Sequence, residues 1–227
     1  SIDSNLYGKA CPFTSGAAAV AESIRNVIAV GAEPLALTDC LNYGNPEKPE
    51  VFHDFQEGVS GIAQAATKLS LDPAEPIPII SGNVSFYNES NTGNAVVPSP
   101  VVVCLGKLES YKNCKTMQIV NPNETIWLIG KRKAEFIGTQ SEAFATNQTP
   151  IAVDFEDEKK NNTWIINAIK NNWVSACHDI SAGGAWLALV EMFSGERGFA
   201  RVGLQTQFPT DQPLQEWLFS ESGGYLI

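Results

Sequence analysis

Asp39 lies inside the apolar run Leu35-Ala36-Leu37-Thr38-Asp39-Cys40-Leu41 and is followed closely by Asn42, Gly44 and Asn45. A second run, Ile77-Pro78-Ile79-Ile80-Ser81-Gly82-Asn83-Val84-Ser85, puts Gly, Asn and Ser where its strand should end. The Asp39 carboxylate could ligate Mg²⁺ or accept a hydrogen bond from a nucleotide; the plain alternative is a strand-end turn or cap residue. Gly82 would let a ligand approach the backbone closely, although a β-bulge also explains a strand glycine. Asn83 offers a carboxamide oxygen, a hard donor suited to Mg²⁺, which keeps most of its shell as water or phosphate. Ser85 could donate to a phosphate or hydroxyl. Each residue alone is weak, but two strand ends of this kind read as one polar site on adjacent strands, where open α/β sheets hold their ligands.

His178-Asp179-Ile180-Ser181-Ala182-Gly183-Gly184 reads as a strand-to-helix turn whose first amides could meet an anion or simply need glycine for geometry. Adjacent strand residues point to opposite faces, so His178 and Asp179 are not expected to act as a pair. Ser220-Glu221-Ser222-Gly223-Gly224 could be a ligand loop, with a solvated turn the favoured reading. His53 is expected on a helix surface.

These residues need elements to place them. Apolar Ala17, Val20, Ile24, Val27 and Ile28 share a helix face, capped by Thr14 or Ser15 and closed by Gly31. A strand over 34–41 follows. Residues 49–71 carry Phe52, Phe55, Val59, Ile62, Ala66 and Leu69 as an amphipathic stripe. A turn over 72–76 leads to the second strand. A third β segment over 95–108 contains Pro98 and Pro100, which predicts a bend or an edge position. Beyond it the pattern predicts a helix over 157–171, a strand over 174–179, a helix over 182–193, a strand over 200–205, a short helix over 214–219 and a strand from 225. The whole reads as two α/β domains in series, residues 1–110 and 111–227.

With 227 residues, 44% hydrophobic and 18% charged, the chain has the composition of a globular protein with a real core. The net charge of −10 argues against a general nucleic-acid surface. Five cysteines in no metal-site spacing read as reduced thiols, which implies the cytosol. No apolar run is long enough to span a membrane, and the start carries no signal pattern. Both ends read as cut, so the chain is expected to be a piece of a longer polypeptide.

The motifs Thr-Asp-Cys-Leu-Asn-Tyr-Gly-Asn-Pro (38–46) and Ser-Gly-Asn-Val-Ser-Phe-Tyr-Asn-Glu (81–89), with the segment 176–192, are specific. On them the chain resembles phosphoribosylformylglycinamidine synthase, a family that duplicates a two-domain unit shared with aminoimidazole ribonucleotide synthetase. Nearly the whole chain is similar to the second copy of that unit. The resemblance implies an α/β (α+β) fold in which the amino-terminal domains of the two copies pair into a β-barrel flanked by α/β domains. It also implies a reaction in which ATP phosphorylates the amide oxygen of formylglycinamide ribonucleotide, and ammonia from glutamine displaces the phosphate. By motif, Asp39 and Gly82 look like ATP contacts, Asn83 like the magnesium ligand and Ser85 like a substrate contact. The catalytic His and the other ligands would lie in the first copy, so no catalytic residue is expected here and the chain alone should be inactive. A glutaminase domain or subunit would supply ammonia.

Three departures stand out. Ala182 replaces an Asp common in the family, the last loop reads Ser-Glu-Ser-Gly where the first copy typically has Ser-Glu-Ser-Gln, and Cys11 precedes Pro12 where Asp is usual. The first two imply that this half's own internal site is weakened or vestigial. The competing readings are a structural, dimerising half that holds an auxiliary nucleotide, and a related ATPase of the same superfamily. Asp39, Asn83 and Ser85 together favour the ligase, and 42–46 with 83–89 argue against the related ATPase. The apolar face of a barrel-forming sheet predicts that the chain alone forms a homodimer.

Overall fold

The computed structural model describes every residue except 120–122, 146, 195–202 and 208–210. Two sheets organise the chain. The first has the order β1-β4-β2-β3 and is built from β1 (Ile2–Ser4), β2 (Glu33–Asn42), β3 (Ile79–Ser85) and β4 (Ser99–Lys107). The second has the order β5-β7-β6, from β5 (Leu128–Ile129), β6 (His178–Ile180) and β7 (Gly224–Leu226).

Helices α1 (Pro12–Ala29) and α2 (Pro49–Lys68) cover one face of the larger sheet. Each begins on a proline, whose fixed φ suits the first helical turn and whose missing N–H costs nothing there. The cap of α1 is Cys11, not Thr14 or Ser15 as expected. Both hydroxyl residues are buried within the helix, where Thr14 donates to the Cys11 sulfur and Ser15 Oγ to Asn5 Oδ1. Gly31 closes the helix with φ +88°, as its position suggested.

The face that α2 buries takes in Ile62, Ala66 and Leu69 of the apolar stripe, with Phe55 packed against it, but not the whole stripe. Phe52 and Val59 are exposed, whereas Gly58, Gly61, Ile62, Ala65 and Ala66 are buried. A Cβ on Gly61 would lie 2.0 Å from the Phe13 carbonyl oxygen, and one on Gly16 would lie 2.2 Å from that of Gly58. The two helices therefore touch backbone to backbone, and the seam follows small residues rather than large apolar ones.

β2 and β3 run parallel, connected through α2, while β4 lies antiparallel between β1 and β2. The β4 segment is thus internal, against the edge position that its prolines suggested. Pro98 lies before the strand, and β1 pairs only with Val101–Val103, so Pro100 has no partner on that side. The short β1 was not legible in a polar amino-terminal stretch.

Leu37, Leu41, Val102 and Cys104 point into the core beneath α1 and α2. Among the described residues nothing comparable covers the other face: Ile2 is 65% and Leu105 50% exposed. Every residue of β3 except half-buried Ser85 is exposed, and β3 is the outer strand of the sheet.

In the second unit, α3 (Phe155–Lys170), α4 (Gly184–Phe193) and α5 (Leu214–Phe219) lie close to the predicted positions. Asp154 caps α3 by accepting from the Asp157 amide. β6 is shorter than the strand expected over 174–179. Of the strand expected over 200–205, residues 200–202 lie outside the described residues and 203–205 form none. The units meet along α1, where Arg25 and Glu158 of α3 form a buried ion pair of 2.7 Å.

Candidate functional site

The parallel pairing of β2 with β3 sets Asp39 beside Gly82, Cys40 beside Asn83 and Asn42 beside Ser85. Adjacent strands thus do bring the singled-out residues together. Directly opposed residues share a face and successive ones alternate. Asp39 also opposes Val102, a core residue, so Asp39 and Gly82 belong to the helix-covered face. Asn83 and Ser85 belong to the open face with Cys40 and Asn42. The site is therefore split across the sheet, an arrangement that the expectation of a single polar cluster did not contain. Because β3 is the free edge, a ligand passing around that edge could touch both faces. Tyr43 N donates to the Ser85 carbonyl, so Ser85 turns its backbone toward β2, and alternation turns the N–H and C=O of Gly82 and Val84 to the free edge.

The motif residues divide into two groups by what their polar atoms do. Asn42 Nδ2 donates to the carbonyls of Cys40 and Ser99, at 3.3 and 3.1 Å. Asn88 Nδ2 donates to those of Tyr43 and Ser85, at 3.1 and 2.8 Å. Glu89 Oε1 accepts from the Asn45 amide at 3.2 Å and from Lys48 Nζ at 2.7 Å. These residues lock the loop after β2 against the loop after β3. Gly44 serves the same contact, since a Cβ there would lie 2.6 Å from that of Ala95.

Asp39, Asn83 and Ser85 form the other group. Among the described residues no hydrogen bond or ion pair engages their side chains. The Asp39 carboxyl is half-buried, and burial raises its pKa with no cation to offset the shift. Its charge also reaches Tyr43, whose hydroxyl is pushed up to about 12 by burial first, then by Asp54 and Asp39. An uncompensated carboxylate on one face of the strand pair, with an exposed carboxamide and a hydroxyl on the other, is a donor set that Mg²⁺ with a phosphate chain could meet only by reaching around the outer edge of β3. Among the described residues no cluster of three or more His, Cys, Asp or Glu forms a metal cage, so this chain would give such an ion only part of its shell.

The second unit departs from expectation at two places. His178 Nδ1 lies 3.2 Å from Asp179 Oδ1 and Nε2 lies 2.9 Å from Glu191 Oε2, so neighbouring residues do meet despite strand alternation. The strand is only three residues long, and the imidazole folds back over its neighbour. Burial works against the charged ring, but the bonds and charges of Asp179 and Glu191 outweigh it and raise the His178 pKa. The Ser220–Gly224 loop, expected in solvent, is buried: Glu221 is only 3% exposed. Its carboxylate accepts from Tyr7 Oη at 2.8 Å, from the Gln140 amide at 3.0 Å and from the Gly183 amide at 3.1 Å. The helix-opening turn that could have met an outside anion thus holds the protein's own carboxylate. Sequence reasoning missed this role of Glu221, because tertiary packing alone sets the positions of its three partners.

A sheet with one helical face and one open face, joined through a buried ion pair to a smaller α/β unit, defines a two-domain α/β protein with a split polar site at its parallel strand pair. Residues 1–108 match the AIR synthase related protein N-terminal domain and residues 122–227 the corresponding C-terminal domain, and the chain belongs to that family. It is 41% identical, over its whole length, to phosphoribosylformylglycinamidine synthase subunit PurL of Methanothrix thermoacetophila, covering 30% of that protein. The chain therefore spans about a third of the length of the curated relatives it matches. Among solved structures it is similar to T. maritima PurL complexed with FGAR (TM-score 0.70, 19% identity, 99% of this chain and 36% of that one). It is also similar to T. maritima PurL complexed with ATP (TM-score 0.63, 22% identity, 100% of this chain and 31% of that one).

Proposed function

We propose that this chain forms one wall of the active site of an ATP-dependent carbon–nitrogen ligase. That enzyme would convert formylglycinamide ribonucleotide and glutamine-derived ammonia to the formylglycinamidine ribonucleotide in purine biosynthesis. The observation that carries the reading is the division of the motif residues. Asn42, Asn88 and Glu89 are committed to holding two loops together, whereas Asp39, Asn83 and Ser85 keep their polar atoms free at the same strand pair. Asp39 and the backbone of Gly82 would meet the nucleotide, Asn83 would complete a Mg²⁺ shell, and Ser85 would hold the ribonucleotide substrate. Mg²⁺, when bound, neutralises charge on the transferring phosphoryl group.

The chain's own residues do the positioning. The edge strand offers the backbone of Gly82 and Val84 to the ligand, and the free carboxamide and hydroxyl lie on the uncovered face. A first synthetase-like half would cover that face and bring the remaining ligands and the catalytic His. A glutaminase domain or subunit would deliver ammonia, and the setting would be cytoplasmic. The relatives named PurL, and the T. maritima structures holding ATP and FGAR, support this reading. Titration of Mg·ATP into the chain joined to its first half tests it: Asn83→Ala should weaken binding about tenfold in the presence of Mg²⁺ and much less in its absence.

A further inference from the structure

Gly82 has an unusual reason to be glycine. Its φ is not in the left-handed region, so its backbone conformation is open to any L-residue. What it lacks is room. A Cβ built on Gly82 would lie 2.3 Å from Asp39 Oδ1, 2.9 Å from its Cγ and 3.3 Å from its Oδ2, and these three atoms are its nearest neighbours. The side-chain space of Gly82 is thus filled by the Asp39 carboxyl group.

Nothing else fixes that carboxyl group. Among the described residues no donor or cation engages it, and burial alone acts on its pKa. The neighbours along β2 and β4 are apolar: Leu37, Leu41 and Val102 share its face. Its orientation is therefore set by shape, and the shape is the gap at Gly82.

We propose that Gly82 is a positioning residue that acts through Asp39: the missing side chain is what lets the carboxylate lie across β3, directed toward the free edge. The inference rests on Asp39 being a nucleotide-site residue, and it separates two roles for Gly82. If Gly82 meets the ligand through its own edge-facing amide, its identity matters whatever stands at 39. If it acts through Asp39, its identity matters only while Asp39 is present.

A double-mutant cycle in the full-length protein distinguishes them, read as the Kd for Mg·ATP in Gly82→Ala, Asp39→Ala and the double variant. The proposal expects Gly82→Ala to weaken binding about tenfold in the presence of Asp39 and less than twofold in the Asp39→Ala background. Equal loss in both backgrounds, or no loss where Asp39→Ala does weaken binding, overturns it. A crystal structure of the Gly82→Ala variant gives a reading independent of the nucleotide. The Asp39 carboxyl group should have rotated off β3, and an unmoved Asp39 beside an ordered methyl group at position 82 overturns the proposal. Should Asp39→Ala leave Mg·ATP binding unchanged while Asp39 does rotate in that crystal structure, the positioning role stands and the nucleotide reading fails. Gly82 lies on the exposed outer strand, and Asp39→Ala leaves a small apolar side chain beside Leu37, Leu41 and Val102, so both variants should fold.

Discussion

At the scale of the residue, charge in this chain is placed where water cannot screen it, and the consequences have a definite sign. Glu22, on the helix that joins the two units, is pushed up to about 8 by burial against the pull of Arg25, with Asp3 and Asp179 adding to the rise. Between the ordinary carboxyl range and that value the folded state keeps a proton that the unfolded chain releases, so stability falls as pH rises. His178 acts in the same sense. Its folded pKa is raised, so its contribution is complete below the unfolded value and is lost as pH climbs through the folded one. Urea midpoints should therefore decline from about pH 5.5 to about pH 8.5, and Glu22→Gln should flatten the decline. A midpoint that rises over this range would contradict the assignment. Burial also raises the pKa of Glu221, but here hydrogen bonds from Gly183, Tyr7 and Gln140 oppose the rise. Its three donors come from three different parts of the chain and tie the amino terminus to the α4 turn.

Individual residues were legible to different degrees. Asp39 and Asn83 stood out because a polar group in an apolar strand needs a reason. That they face opposite sides follows from register, which the sequence does not print. Glu221 reads as part of a ligand loop or, preferably, a solvated turn, since nothing in a Ser-Glu-Ser-Gly string shows that the fold closes over it.

At the scale of the element, the close seam between α1 and α2 decides how the first unit is built. Gly16, Gly58 and Gly61 allow the two backbones to approach, and this approach carries the sheet's covered face. Gly61→Ala would set a Cβ against the Phe13 carbonyl oxygen, which is backbone and cannot swing away. Such overpacking costs about 1–3 kcal/mol, to be read as a lower unfolding midpoint without loss of helical circular dichroism. The apolar stripe placed Ile62, Ala66 and Leu69 correctly but took in exposed Phe52 and Val59 and left out Gly58 and Gly61, because periodicity weighs large side chains and ignores glycine. Phe55 does contribute, packing edge-on to Tyr43 and Phe86, while Phe52 remains outside. The strand pair that carries the site was read correctly from two short apolar runs. The sequence offered no reading of the sheet order, because pairing between β4 and β1 is a long-range event that no local pattern reveals.

At the scale of the whole molecule, one face of the four-stranded sheet is unfinished. Ile2 and Leu105 are exposed there, among the described residues no strand pairs with the outer edge of β3, and Asn83 and Ser85 belong to the same face. The first synthetase-like half proposed to cover that face would bury the apolar residues and supply the remaining ligands of the proposed site. In its absence the chain alone should self-associate through the same surface. Sedimentation at micromolar concentration should show a dimer, and Leu105→Asp should return it to monomer. A monomer before the substitution would count against this use of the face. The Arg25–Glu158 pair matters at the same scale because, with the Tyr7–Glu221 hydrogen bond, it is a buried polar link between the two units.

Asp39, Asn83 and Ser85 have no side-chain partner among the described residues, and we propose that a magnesium-bound nucleotide and its substrate engage them. Calorimetric titration of Mg·ATP into the protein joined to its first half, with and without Asn83→Ala, tests this most directly. Saturable binding that weakens about tenfold in the variant is expected. Binding of equal strength in both would contradict it.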